Sequence, residues 1–134
     1  MHQVKASFRI LLVEDEPAIR ELVAEMVKAE GVELRCAAGG ALGVREARRL
    51  RPNLVLLDIV LPDLDGITVC RLMRGDAALR EVPIYMVTAR ARKADRDAAR
   101  RAGATGYIEK PFTAQQLQAL VSRYREPTPT GAGR

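Results

Sequence analysis

Apolar and mixed segments alternate five times along this chain. Phe8-Arg9-Ile10-Leu11-Leu12-Val13 reads as a strand, as do Val32 to Ala37, Leu54 to Leu57, Ile84 to Val87 and Gly106 to Glu109. Between them apolar residues recur at helical spacing. Ile19, Leu22, Val23 and Met26 form the inner face of a first helix that follows Pro17, a residue suited to the first helical turn. A second helix runs from Gly40 to Leu50, and a third begins near Gly66 and carries Ile67, Val69, Cys70 and Met73. A fourth spans Ala91 to Ala102, with Ala94, Ala98, Ala99 and Ala102 as its inner face. Thr113-Ala114-Gln115-Gln116 is a capping-box pattern that opens a fifth, on which Leu117, Leu120, Val121 and Tyr124 repeat at helical spacing. Gly31, Pro52-Asn53, the irregular stretch from Gly75-Asp76 to Pro83, and Gly103 separate these elements.

The strand patterns differ in a useful way. Leu54 to Leu57 is continuously apolar, which implies burial on both faces and a central place; Val32 to Ala37 is mixed, as an edge strand can be. Gly43 inside the second helix lowers helix stability by about 1 kcal/mol against alanine, and implies close packing on the sheet. Strict alternation of strand and helix, with right-handed crossovers, predicts an α/β fold: a (βα)5 doubly wound parallel five-stranded sheet, the flavodoxin-like three-layer sandwich. With 134 residues, the chain fits one domain, placed at residues 7–125, with residues 1–6 and the Pro-, Thr- and Gly-containing stretch 126–134 as flexible tails.

Composition narrows the chemistry. No apolar stretch approaches the roughly 18 residues needed to span a bilayer, and Met1 to Ser7 lacks the apolar core of a secretory signal. Cys36 and Cys70 have no CxxC spacing, and His2 is the only histidine. Zinc and Cys–His catalysis are thereby excluded, and both thiols read as core or half-buried groups in a reducing cytoplasm. The net charge of +5 rests on two arginine groups: Arg45, Arg48, Arg49 and Arg51, then Arg90, Arg92, Lys93, Arg96, Arg100 and Arg101. Such a face binds nucleic acid or is simply a solvated helix surface. No aromatics interleave with the arginines to stack bases, so direct nucleic-acid binding is the weaker of the two.

The strand ends carry the candidate chemistry. Ligands of an open parallel sheet bind beyond the carboxyl ends of its strands. Those ends are Glu14-Asp15-Glu16, Asp58, Thr88 and Lys110-Pro111. Asp15 and Asp58, with Glu14 directly or through water, are oxygen donors suited to Mg2+. An ionised aspartate can act as nucleophile and form an acyl phosphate without a histidine base. Lys110 and Thr88 supply a cation and a hydroxyl for phosphoryl oxygens. Each residue alone also has a structural reading: the acids as caps of the first helix, Asp58 as a turn residue, Thr88 as a cap of the fourth helix, Lys110 as a surface lysine. Asp63-Leu64-Asp65-Gly66 resembles part of a calcium loop, but Leu61 stands at the first ligand position, and the stretch reads as a turn.

Taken in order, Ile10 to Glu16, Leu54 to Gly66, Pro83 to Ala89 and Gly106 to Phe112 resemble a two-component response-regulator receiver domain of the single-domain, chemotaxis-regulator-like kind. The resemblance implies that Asp58 accepts phosphate from a phosphohistidine on a sensor histidine kinase or phosphotransfer protein. It implies that Glu14 and Asp15 hold Mg2+ together with Asp58 and the backbone carbonyl of Val60. Lys110 contacts the phosphoryl group, with Lys110-Pro111 cis. Thr88 moves toward that group, Tyr107 swings inward behind it, and the signal reaches a downstream protein through the face of the fourth helix, fifth strand and fifth helix. Such a domain is a cytoplasmic signalling module that assists its own phosphorylation and dephosphorylation rather than an enzyme in its own right.

Some positions depart from the family pattern. Ala104-Thr105 stands where the DNA-binding branch has an acidic pair, which weakens the expectation of that branch's dimer; the arginines of the fourth helix point instead to an acidic partner. The chain reads either as a stand-alone receiver or as a fragment of a longer regulator. Val60 and Arg90 stand where the family tunes phosphoryl lifetime. Val60 cannot orient an attacking water and Arg90 can screen the phosphoryl group, so a long-lived phosphoryl form is expected. Three rival functions are weaker: an aspartate-nucleophile phosphatase, which lacks its second aspartate at Val60; a flavodoxin-like cofactor binder, for which Glu14-Asp15-Glu16-Pro17 is hostile to phosphate; and a nucleic-acid-binding regulator using the arginine-rich helices.

Overall fold

The computed structural model describes residues 8–125; the expected tails at residues 1–6 and 126–134 lie outside the described residues. The elements follow the alternation of the sequence: β1 (Phe8–Val13), α1 (Pro17–Val27), β2 (Val32–Ala37), α2 (Gly40–Leu50), β3 (Leu54–Leu57), α3 (Gly66–Arg74), β4 (Ile84–Thr88), α4 (Lys93–Ala102), β5 (Gly106–Glu109) and α5 (Ala114–Arg125). A 3-10 turn at Ala77–Leu79 occupies the irregular stretch before β4. All strand pairs are parallel, in the order β2-β1-β3-β4-β5. The order reverses between β1 and β3, so the crevice of a doubly wound sheet opens at the ends of those two strands.

Alternation along each strand sends side chains to two cores. Leu11, Val13, Val55, Leu57, Ile84 and Met86 face α2, α3 and α4. Phe8, Ile10, Leu12, Leu54, Leu56 and Val87 face α1 and α5. All four residues of β3 are buried, as its unbroken apolar run requires.

Gly43 explains how closely α2 lies on the sheet. A Cβ there would stand 2.8 Å from Val13 Cγ2 and 3.0 Å from Cγ1. Val13 is fully buried and β-branched, so it has no spare rotamer with which to yield. Gly43→Ala gains up to about 1 kcal/mol in helix propensity but meets an overpacking cost of about 1–3 kcal/mol. We expect a net loss of about 1 kcal/mol, seen as a lower urea midpoint at unchanged slope.

Three expected faces differ in detail. On α1 the buried residues are Val23 and Val27, while Leu22 is exposed. On α4 the inner face is Asp95, Ala99 and Ala102, with Ala94 exposed. An acid can turn inward there because Arg90 and Arg92 both pair with it. Cys36, expected in the core or half-buried, is exposed on edge strand β2, whereas Cys70 is buried and its thiol is pushed up to about 11 by desolvation. The capping box holds: Gln116 Oε1 accepts from the Thr113 backbone N–H at 2.8 Å, and the Gln116 N–H reaches Thr113 Oγ1 at 3.1 Å.

Candidate functional site

The sheet ladder runs one residue beyond the strands and fixes the site in register. Glu14 N donates to Ala37 O, Asp58 N to Val13 O, and Lys110 N to Thr88 O, at 2.9, 3.1 and 2.9 Å. Glu14, Asp58 and Lys110 are therefore each placed by a neighbouring strand before any side-chain contact is made.

The side chains converge. Lys110 Nζ lies 2.8 Å from Glu14 Oε1 and 3.0 Å from Asp58 Oδ2. Asp58 Oδ1 also accepts from the Val60 backbone N–H at 3.2 Å. Glu14 is almost fully buried, and its other oxygen accepts from Glu16 N at 3.1 Å. Asp15 is exposed and makes no side-chain hydrogen bond among the described residues. Glu14, Asp15 and Asp58 each bring a carboxylate oxygen within 4.8 Å of the others. Asp58, Thr88, Arg90 and Lys110 line a cleft of about 460 Å³ that also takes in Val60 and Asp15. The Lys110–Pro111 peptide is cis.

Charge sets the character of this cluster. Burial pushes the Glu14 carboxyl above its usual range, and the Lys110 hydrogen bond only partly offsets this. For Lys110, burial pulls downward, but hydrogen bonds to Glu14 and Asp58 and their charges outweigh it, so the ammonium is held above its ordinary value. That raised lysine stabilises the fold at pH values below its ordinary range, and the contribution is lost only as pH rises through the raised folded value. Ionised Glu14 has the opposite sign: its cost develops as pH rises past the ordinary glutamate range. With all three acids ionised, one lysine leaves two negative charges uncompensated. The donors are all hard oxygens, one of them exposed and unshared. This arrangement fits a divalent oxygen-seeking cation such as Mg2+, which takes one or two protein carboxylates and keeps several waters.

Thr88 and Tyr107 meet on one residue. Thr88 Oγ1 accepts from the Arg90 backbone N–H at 3.2 Å, and the Tyr107 hydroxyl donates to the Arg90 carbonyl. Thr88 therefore does not cap α4, whose N-cap is Arg92. Nor is Glu16, at the N-cap of α1, engaged by its side chain. Lys110 is no surface lysine, since its side chain is only 16% exposed.

The turn Asp63-Leu64-Asp65-Gly66 has more function in the fold than its sequence showed. Asp63 accepts from Gly40 N and Ala41 N at 2.7 and 3.0 Å, capping α2 from the loop that follows β3. These backbone donors hold its carboxyl below the usual range. Asp65 caps α3 through Ile67 N at 2.8 Å. Sequence reasoning missed Asp95, which pairs with Arg90 and Arg92; its spacing from Ala99 and Ala102 was the available signal.

Known proteins agree with this geometry. The family model described as the response regulator receiver domain matches residues 10–122. The DNA-binding response regulator MtrA of Mycolicibacterium smegmatis is 39% identical over 113 residues, covering 84% of this chain and 48% of that protein. The chain spans about half the length of the curated relatives it matches. Among solved structures, the receiver domain of the sensor histidine kinase PA1611 from Pseudomonas aeruginosa, with a magnesium ion in its active-site cleft, superposes with a TM-score of 0.81 at 37% identity, covering 89% of this chain and 98% of that one. The Vibrio cholerae chemotaxis protein CheY4 gives 0.83 at 26% identity, covering 89% and 99%.

Proposed function

The chain belongs to the response regulator receiver domain family, and from that premise we propose that Asp58 takes a phosphoryl group from a phosphohistidine on a sensor histidine kinase or phosphotransfer protein. The observation that carries this reading is the meeting of Asp58 with Lys110 and the two further acids at one cleft. Residues 7–125 constitute the receiver unit. In the transfer, an Asp58 carboxylate oxygen bonds to phosphorus while the phosphorus–nitrogen bond to the donor histidine breaks, its electron pair returning to the imidazole. Lys110 stays beside the new group, where its ammonium meets phosphoryl oxygens. Glu14, Asp15 and Asp58, with the Val60 carbonyl, are the residues that would hold Mg2+. When bound, that ion supplies positive charge to the phosphoryl oxygens as they gather negative charge.

Thr88 and Tyr107 act as the switch. Both hold the backbone of Arg90, one at its N–H and one at its carbonyl. When the Thr88 hydroxyl turns to a phosphoryl oxygen, the Arg90 segment loses one anchor and Tyr107 is released from its present partner. The change reaches the α4–β5–α5 face. There Arg96, Arg100, Thr105 and Tyr107 border a groove of about 150 Å³ floored by Ala99 and Gly106. Two arginines on its rim suit a downstream protein that presents acidic groups. Thr105 stands where an acid would support a dimer, and its hydroxyl instead serves the fold, accepting from Arg74 Nη2 at 3.2 Å and from Ile84 N at 3.1 Å. Among the described residues no helix is long and apolar enough to cross a membrane, and we place the receiver in the cytoplasm with its kinase. At the cleft mouth Val60 is 57% exposed and has no group to orient water, and with Arg90 it favours a slowly lost phosphoryl group.

The test is incubation with acetyl phosphate, with and without Mg2+, read by intact mass. We expect one hydroxylamine-sensitive phosphoryl addition that requires the metal and falls at least about tenfold in excess chelator. Equal labelling in chelator would sink the assignment of the acidic cluster.

A further inference from the structure

Arg90 lines the Asp58 cleft, yet its guanidinium is committed to two other elements. Its Nε donates to Asp95 Oδ1 at 3.2 Å, and its Nη2 lies 3.5 Å from Asp65 Oδ2. Asp95 is buried on the inner face of α4, and Asp65 is the half-exposed cap of α3. Both carboxylates keep a partner if the guanidinium departs: Arg92 Nε donates to Asp95 Oδ2 at 3.3 Å, and Ile67 N–H donates to Asp65 Oδ1 at 2.8 Å. Neither acid would be stranded, so release is cheap at both ends.

We propose that Asp65 and Asp95 are positioning residues that form a resting cradle for Arg90, and that competition between this cradle and the phosphoryl oxygens sets the phosphoryl lifetime. The proposal rests on the reading of Asp58 as acceptor. A phosphoryl dianion matches the planar fork of a guanidinium better than two single contacts to separate carboxylates. Over the phosphoryl group, Arg90 covers the side from which water must come. In hydrolysis the water oxygen bonds to phosphorus and the phosphorus–oxygen bond to Asp58 breaks. The electron pair returns to the carboxylate, and the water's proton leaves to solvent with the phosphate. A weaker cradle therefore lengthens the lifetime, and loss of Arg90 shortens it. Because Asp95 sits on α4 and Asp65 caps α3, transfer of the guanidinium also removes this one bridge between the two helices. This is a second link from Asp58 to α4, separate from Thr88 and Tyr107.

Asp65→Asn tests this cleanly, because asparagine caps a helix as well as aspartate does but carries no charge. The half-life of the phosphoryl form is measured after donor removal, in Asp65→Asn, Arg90→Ala and the double variant. We expect Asp65→Asn to lengthen the half-life about two- to fivefold, the range an exposed ion pair commands. Arg90→Ala should shorten it, and the double variant should match Arg90→Ala alone. An unchanged half-life in either single variant overturns the proposal. So does an Asp65→Asn effect that persists in the Arg90→Ala background, since it would then act through the α3 cap. Failure of the acceptor reading shows earlier, as absence of labelling in the wild type, and overturns both together.

Discussion

Asp58→Asn is expected to lose phosphoryl incorporation by about a hundredfold or more, because a neutral amide oxygen cannot replace the carboxylate nucleophile. The structure separates Asp58 from its two acidic neighbours. Glu14 is 1% exposed and held by Lys110 and the Glu16 N–H, so a donor cannot reach it. Asp15 is exposed but has no cation beside it among the described residues. Asp58 alone combines a lysine at 3.0 Å, a backbone N–H at 3.2 Å and an opening into the cleft. Asparagine keeps the side-chain shape and an oxygen for the Val60 N–H. It also removes one of three crowded negative charges, while Glu14 still holds Lys110. The variant should therefore fold at least as well as the wild type. Intact mass after acetyl phosphate treatment, beside a urea melt, gives both answers. Labelling at the wild-type level would move the acceptor to Asp15, the other acid that lines the cleft.

The residues of this site were legible in the sequence for a topological reason. Parallel strands place their carboxyl ends at one edge, so reading the residues at and just after each strand end is enough to find Glu14, Asp58, Thr88 and Lys110. Which residues pair was not legible. The Lys110–Glu14 contact joins positions 96 residues apart, and sequence order says nothing about side-chain direction across that distance. Asp63, Asp65 and Asp95 show the same limit. Each looks like an ordinary polar residue in a turn or on a helix, and each takes its role from a partner on another element or loop. The inner face of α4 differs from its pattern because an alanine stripe is the usual apolar signal. Here two arginines neutralise Asp95 and allow it inside. Leu22 and Cys36 err the other way: an apolar residue at the edge of a helical stripe or on an edge strand need not find a covering neighbour.

Gly66 joins fold and site most tightly, and Gly66→Ala is expected to damage both. A Cβ at this position would stand 2.0 Å from the Asp58 carbonyl oxygen and 2.6 Å from Ile59 Cα. These are backbone atoms, so no rotamer change relieves the contact. Gly66 does not carry a positive φ, and the need for glycine here is therefore one of space rather than of dihedral freedom. Its N–H donates to Ile59 O at 2.7 Å, which holds the start of α3 against the strand end that bears Asp58. Either that hydrogen bond breaks and α3 moves away, or the peptide of Asp58 shifts. We expect a loss of about 3 kcal/mol or more in stability, as for severe overpacking against an unyielding neighbour. The protein that remains folded should label more slowly, by about tenfold to a hundredfold, since an ångström of misplacement at a reacting group is enough for that. Gly75→Ala is the matched control. Its Cβ would meet only Leu72 O at 3.4 Å and Arg71 O at 3.7 Å, ordinary contacts, and its backbone is right-handed helical. It should leave both the urea midpoint and the labelling rate near those of the wild type. A Gly66→Ala protein with wild-type midpoint and labelling would show that α3 can withdraw from the acceptor without disturbing it, and that the close approach of this helix is not what holds Asp58 in place.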